Sequence, residues 1–283
     1  DETFSSAPVN SKIIFPTASG GTFFDPSTSE MHILKLDRFD WDVIHHEYGH
    51  YVQSRLNIED SPGGCHLDTN LSEQGWEINC PPGLTRNASG KNGGTKLAWG
   101  EGWPTYFAVS LQKSLGAANF VIPNVGDNLY HDTEDLNISD NLESQVGSSL
   151  GEDHELSIAR ILWDIYDSAN DAGDTGIGYG DETLWNTIDN SDAITLSAAY
   201  QAIINGKSVK DQTKIGCILA EHKVAPSITL PADRISVSKD IIPTFQWDTN
   251  GGGPSYKNNK FKVEFYDASW TTKIHTSAEI ITA

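Results

Sequence analysis

Basic side chains are scarce in this sequence. Lysine and arginine together number 19 against 39 aspartates and glutamates, so the 283-residue chain carries a formal charge of −20. A surface of that sign repels phosphate backbones and anionic bilayers, which sets nucleic acid and acidic membranes aside as partners. It suits bound cations, calcium among them, or serves solubility alone. Long apolar runs are missing too. No stretch approaches the ~18 apolar residues of a membrane-spanning helix. The chain begins at Asp1 without a methionine, a basic n-region or an apolar h-region. It therefore reads as a mature or trimmed form whose leader is gone, and secretion is the expected localisation. Cysteine is sparse, and its odd count of three cannot pair fully within one chain. Cys65 and Cys80 bracket one loop-like stretch and are candidates for a disulfide. Cys217, in the apolar run IGCIL, is expected as a buried thiol.

What is present is an ordinary globular mixture, 37% hydrophobic and 20% charged. The length suffices for one large domain and a smaller companion. SKIIF, GTFFD and MHILKL read as short strands; in the last, Met31, Ile33 and Lys35 share one face. Asp40 is a plausible N-cap, with Asp42 in the first turn, for a helix from about Trp41 to Leu56. Residues 57–95 read as a long irregular stretch rich in turn formers. A second helix is expected from about Glu101 to Ser114. DHELSIARILWDIYDSA, AITLSAAYQAIING and QTKIGCILAEHK are further helix candidates. Near Val224 the texture changes: prolines at 226, 231 and 243 punctuate β-branched residues, and KFKVEFYD alternates Phe261, Val263 and Phe265 with charges. The pattern predicts an α+β domain over 1–225, a linker near 224–228 and a β module over 226–283. An immunoglobulin-like or fibronectin-III-like sandwich takes about 100 residues, so this module is expected to be incomplete.

The densest chemistry lies in HHEYGH, His45 to His50. One register fits HExxH, with His46, Glu47 and His50. Residues four apart share a helix face, so two imidazoles can ligate one zinc ion with Glu47 beside them as general base. His45 falls on another face, while Val43 shares the face of the pair. Composition alone gives about 0.015 chance matches to HExxH in a chain like this one, so the motif is a lead that needs a third ligand. Gly49 in mid-helix costs about 1 kcal/mol relative to alanine, which close approach of another element would explain. HExxHxxGxxH fails, because Gln53 and Leu56 fill its last two defined places. The alternative is a downstream carboxylate. LAWGEGWPTYFA offers Glu101 between Gly100 and Gly102 in an aromatic setting; His66, in GGCHLD, is its rival.

HEYGH, then GEGWPTYFA, then ARILWDIYD, in that order, resemble the glutamate-zincin metallopeptidases, fungalysin most nearly and thermolysin more distantly. The resemblance spans roughly residues 10–222 and is specific at the first two motifs. It implies a thermolysin-like domain: an N-terminal β-sheet with an edge strand, the HExxH helix and a helical second half. It assigns zinc to His46, His50 and Glu101, and water activation to Glu47. It also implies substrate bound as an added strand on a sheet edge, for which MHILKL is the matching segment. A histidine ahead of the LW helix would stabilise the oxyanion. His154 lies in that region at a different spacing, and Tyr130 and His131 are its rivals. Two departures stand out: 51 positions separate His50 from Glu101, and Thr105 occupies the place where the family has an aspartate that orients a zinc histidine.

The expected activity is that of a secreted zinc endopeptidase acting on proteins or peptides, with a C-terminal module that binds a surface, glycan or protein. A metal-binding but inactive scaffold for adhesion or carbohydrate binding is the second reading. An aminopeptidase is the third, although the GxMEN motif of one such family is absent. Asp164, Asp167, Asp171, Asp174 and Asp181 form an acidic segment open to calcium, but they miss the EF-hand spacing and read first as a solvated loop.

Overall fold

The computed structural model describes residues 11–18, 21–63, 71, 90–115, 131–132, 140–143, 150–168, 177–224, 227–230, 246–248, 260–261, 264–266, 273–276 and 280–281. Cys65, His66, Cys80, Tyr130, Asp171 and Asp174 lie outside these residues. The class is mixed α+β, with six helices and a small three-stranded sheet among the described residues.

Strands β1 (Lys12–Ile14), β2 (Phe23–Asp25) and β3 (Glu30–His32) form that sheet in the order β1-β3-β2. β3 runs parallel to β1 and antiparallel to β2. The expected alternation holds, since Met31 and Ile33 are both buried. The expected edge does not. MHILKL supplies the central strand, and β2 is an edge. The turn between β2 and β3 is the cause. The Asp25 carboxylate accepts from the Ser27 amide at 2.8 Å and the Ser27 hydroxyl at 2.6 Å, and Ser29 adopts φ 56°. The hairpin so closed sets β3 beside β2, and β1 takes the other side of β3.

Helix α1 (Trp41–Leu56) matches its expected span. The Asp40 carboxylate accepts from the Val43 amide at 3.3 Å, and Asn57 ends the helix in the left-handed conformation. Helix α2 (Gly90–Leu115) begins eleven residues before the expected start at Glu101 and carries Pro104 inside it. GKNGG argues locally against a helix, at about 1 kcal/mol per glycine. Tertiary burial overrides it: Leu97, Ala98 and Trp99 are fully buried, and the Trp99 indole donates to the Ile58 carbonyl at 2.8 Å. Helix α3 (Glu155–Tyr166) packs on the other side of α2. Trp103 and Phe107 stack at 5.5 Å, and Trp185 meets them edge-on at 5.0 and 5.3 Å.

Two glycines let α2 lie close between its neighbours. A Cβ on Gly49 would fall 2.9 Å from Pro104 Cα, so the mid-helix glycine marks the α1–α2 crossing. A Cβ on Gly102 would fall 2.4 Å from the Glu155 carbonyl oxygen and 2.6 Å from Ile158 Cβ. Gly102→Ala should therefore destabilise the fold by about 3 kcal/mol, the upper end of overpacking costs, because the obstructing atom is backbone. Gly49→Ala should cost less, because its nearest atoms stand at 2.9 Å rather than 2.4 Å; the gain of about 1 kcal/mol in helix propensity applies at both positions. Equilibrium denaturation of both variants checks the ranking; a wild-type midpoint for Gly102→Ala would refute it.

β4 (His131–Asp132) pairs with β5 (Asp140–Asn141). Helix α4 (Gly180–Asp189) went unforeseen, although Leu184, Trp185 and Ile188 are buried on one face. Helices α5 (Leu196–Ile204) and α6 (Val209–Glu221) match two expected segments, capped by the hydroxyls of Thr195 and Ser208 at 3.2 Å each. Cys217 is half-buried on α6. Three acids of the calcium candidate segment have separate neighbours instead of a shared centre. Asp164 meets His222 at 2.8 Å, Asp167 meets Lys113 at 3.5 Å, and the Tyr106 hydroxyl donates to Asp181 at 3.4 Å.

From Ser227 on, every described element is a strand: β6 (Ser227–Leu230), β7 (Gln246–Asp248), β8 (Lys260–Phe261), β9 (Glu264–Tyr266), β10 (Lys273–Thr276) and β11 (Ile280–Ile281). They pair antiparallel as β6 with β7, β8 with β11, and β9 with β10. Within KFKVEFYD, Lys260–Phe261 and Glu264–Tyr266 each contribute to one of these pairs. Among the described residues, no helix is long and apolar enough to cross a membrane.

Candidate metal centre

Helix geometry brings His46 and His50 together on one face of α1, and the crossing at Gly49 sets Glu101 of α2 against them. His46 Nε2 lies 3.0 Å from His50 Nε2. Glu101 Oε2 lies 3.4 Å from His46 Nε2 and 3.1 Å from His50 Nε2. Among the described residues, these three are the group of ligating side chains whose donor atoms all fall within 4.8 Å of one another. Two imidazoles and one carboxylate suit a zinc-like ion. Burial acts to lower His50, yet the charge and hydrogen bond of Glu101 raise it overall. The cluster thus favours positive charge at its centre.

Thr105 is buried one turn after Glu101 and stands 3.1 Å from His46 Nδ1. An Nδ1–H donated to the hydroxyl oxygen leaves the Nε2 lone pair facing the cluster, the tautomer that a metal ligand needs. A neutral hydroxyl holds that proton less strongly than a carboxylate does. Thr105→Asp should tighten the binding of a metal ion at this cluster by about 10–100-fold. Competition with a graded chelator measures it; equal affinity in both proteins would mean that the hydroxyl does not tune His46.

His45, the third histidine of the motif, is a core residue. It is buried against Trp41, with ring centroids 5.3 Å apart, and burial pulls its pKa down to about 4, so it stays neutral. Glu47 faces the cleft beside the cluster, and the backbone N–H of Phe24 on β2 donates to its Oε2 at 2.7 Å. The cleft measures about 730 Å³, and His46, Glu47, His50 and Glu101 line it together with Val43, Phe23 and Phe24.

His154 is buried at the N-cap of α3 and is not among the cleft-lining residues. His131 lies on β4, and Tyr130 and His66 fall outside the described residues.

Sequence reasoning missed Glu59 and Asp37, which also line the cleft. Burial and the nearby Glu101 carboxylate raise Glu59 while His50 pulls it down. No motif marks an acid in the turn-rich IEDSPGG. Its one signal was that the loop must return to α2: a Cβ on Gly100 would fall 2.9 Å from Ser61 Cβ, so the 59–63 segment packs directly on the helix that carries Glu101. Compared with known proteins, the chain matches no family model, no curated protein and no solved structure.

Proposed function

We propose that this chain is a zinc-dependent endopeptidase of the glutamate-zincin type, released from the cell. The observation that carries the reading is the cluster of His46, His50 and Glu101 with Glu47 beside it, in a cleft bordered by a sheet edge. His46, His50 and Glu101 would hold the ion. Bound there, zinc supplies Lewis acidity that polarises a carbonyl and acidifies water. The chain's own residues do the rest. Glu47 takes a proton from the attacking water and returns it to the leaving amine. The Phe24 amide holds that carboxylate in place, so the base and the sheet edge are positioned together. β2 is the sheet edge beside the cleft, and an extended peptide laid along it as an added strand would compete with Glu47 for the Phe24 amide.

The order of the motifs supports reading residues 1–225 as a thermolysin-like domain. The run of strands from Ser227 supports reading residues 226–283 as part of an immunoglobulin-like module that binds a surface, glycan or protein.

Digestion of casein and of N-terminally blocked peptides, with and without chelator, tests the activity. Cleavage of blocked peptides that stops on chelation is the expected result. Cleavage of free N-termini alone would identify an aminopeptidase. Zinc binding without any hydrolysis would identify an inactive metal-binding scaffold.

A further inference from the structure

Among the described residues, the acids that line the cleft, Asp37, Glu47, Glu59 and Glu101, have no lysine or arginine facing them. A divalent ion would balance Glu101 and Glu47, leaving the charges of Glu59 and Asp37 over. Asp37 accepts a hydrogen bond from the Thr22 hydroxyl at 2.5 Å. Glu59 differs: no hydrogen bond or ion pair reaches it among the described residues, whereas the adjacent Asp60 pairs with Lys96. Glu59 is close enough to His50 and Glu101 to feel the charge of both. A half-buried carboxylate that meets no counter-ion among the described residues, on the wall of a cleft, is poised to be neutralised by what enters that cleft.

We propose that Glu59 is a specificity-determining residue that selects peptides presenting an ammonium or guanidinium group beside the scissile bond, with Asp37 as the second acid. This rests on the peptidase reading above. The cation can be a lysine or arginine side chain or a free α-amine; the chemistry recognised is the same.

Internally quenched peptides identical except at one residue flanking the cleavage point test it, with lysine, arginine, norleucine or glutamate there. Each is made N-acetylated and with a free amine. The cationic peptides should exceed norleucine by about tenfold in kcat/KM, the equivalent of one partly buried charge pair. Glu59→Gln should bring that ratio below about threefold, and Glu59→Lys should turn the preference toward glutamate. A preference confined to free-amine peptides would identify the α-amine as the cation. A ratio near one in the wild type, or a ratio that neither variant changes, overturns the proposal. Fluorescence anisotropy of the same labelled peptides on zinc-loaded protein reads selectivity without turnover. If nothing is cleaved but cationic peptides bind more tightly in a manner lost in Glu59→Gln, the peptidase reading fails and the charge selection stands. Cleavage without charge selection does the reverse.

Discussion

Glu47→Gln should abolish proteolysis while leaving the fold and the metal in place. Glutamine fills the same volume, and its carbonyl oxygen can still accept the Phe24 amide, now bonded to Glu47 at 2.7 Å. What it cannot do is take a proton from water. The exchange therefore isolates proton transfer from positioning, and loss of a general base costs about 10²–10⁴-fold in kcat. Glu47→Ala provides the contrast. It removes the base and also leaves the Phe24 amide without that acceptor, which adds about 1 kcal/mol of destabilisation and loosens β2. Turnover of a quenched peptide, metal content and unfolding midpoint of both variants make the comparison. Activity retained in metal-loaded Glu47→Gln would remove Glu47 from the chemistry.

Glu101→Ala should release the metal. The glutamate supplies one of the three donors and the negative charge that raises His50. With it gone, two neutral imidazoles remain, too few for a catalytic zinc site, which commonly takes three protein ligands. The loss in affinity should exceed the ~10–100-fold that an outer-shell partner is worth. The fold should survive, because the glycines and aromatics around Glu101, not its carboxylate, pack α2 against α1 and α3. Elemental analysis after dialysis against a graded chelator gives the result. Wild-type retention would move the third ligand elsewhere, and His66 would be the first residue to test.

The HExxH helix was legible in the sequence because its signals are local. Asp40 caps α1, the HExxH pair shares one face of it, and Asn57 closes it. Glu101 was legible for a different reason: a glutamate between two glycines and among aromatics has few structural excuses. The start of α2 was not legible, since GKNGG speaks for a loop and only the burial of Leu97–Trp99 against distant segments makes it helical. Nor was the identity of the sheet edge. Strand order is a property of pairing, and the strand alternation of MHILKL is the same at the centre of a sheet as at its rim. Glu59 belongs to the same class. Its place on the cleft wall follows from where the loop after α1 returns, a contact that becomes visible only through Gly100 and Ser61.

Metal-dependent hydrolysis is the measurement closest to the central claim. Protein stripped with a chelator and dialysed should cleave no N-terminally blocked quenched peptide. Titration with zinc should restore cleavage to a plateau at about one equivalent per chain, the stoichiometry of a single three-ligand site. Cleavage indifferent to the chelator would contradict the account, as would a zinc-saturated protein that hydrolyses no peptide, blocked or free.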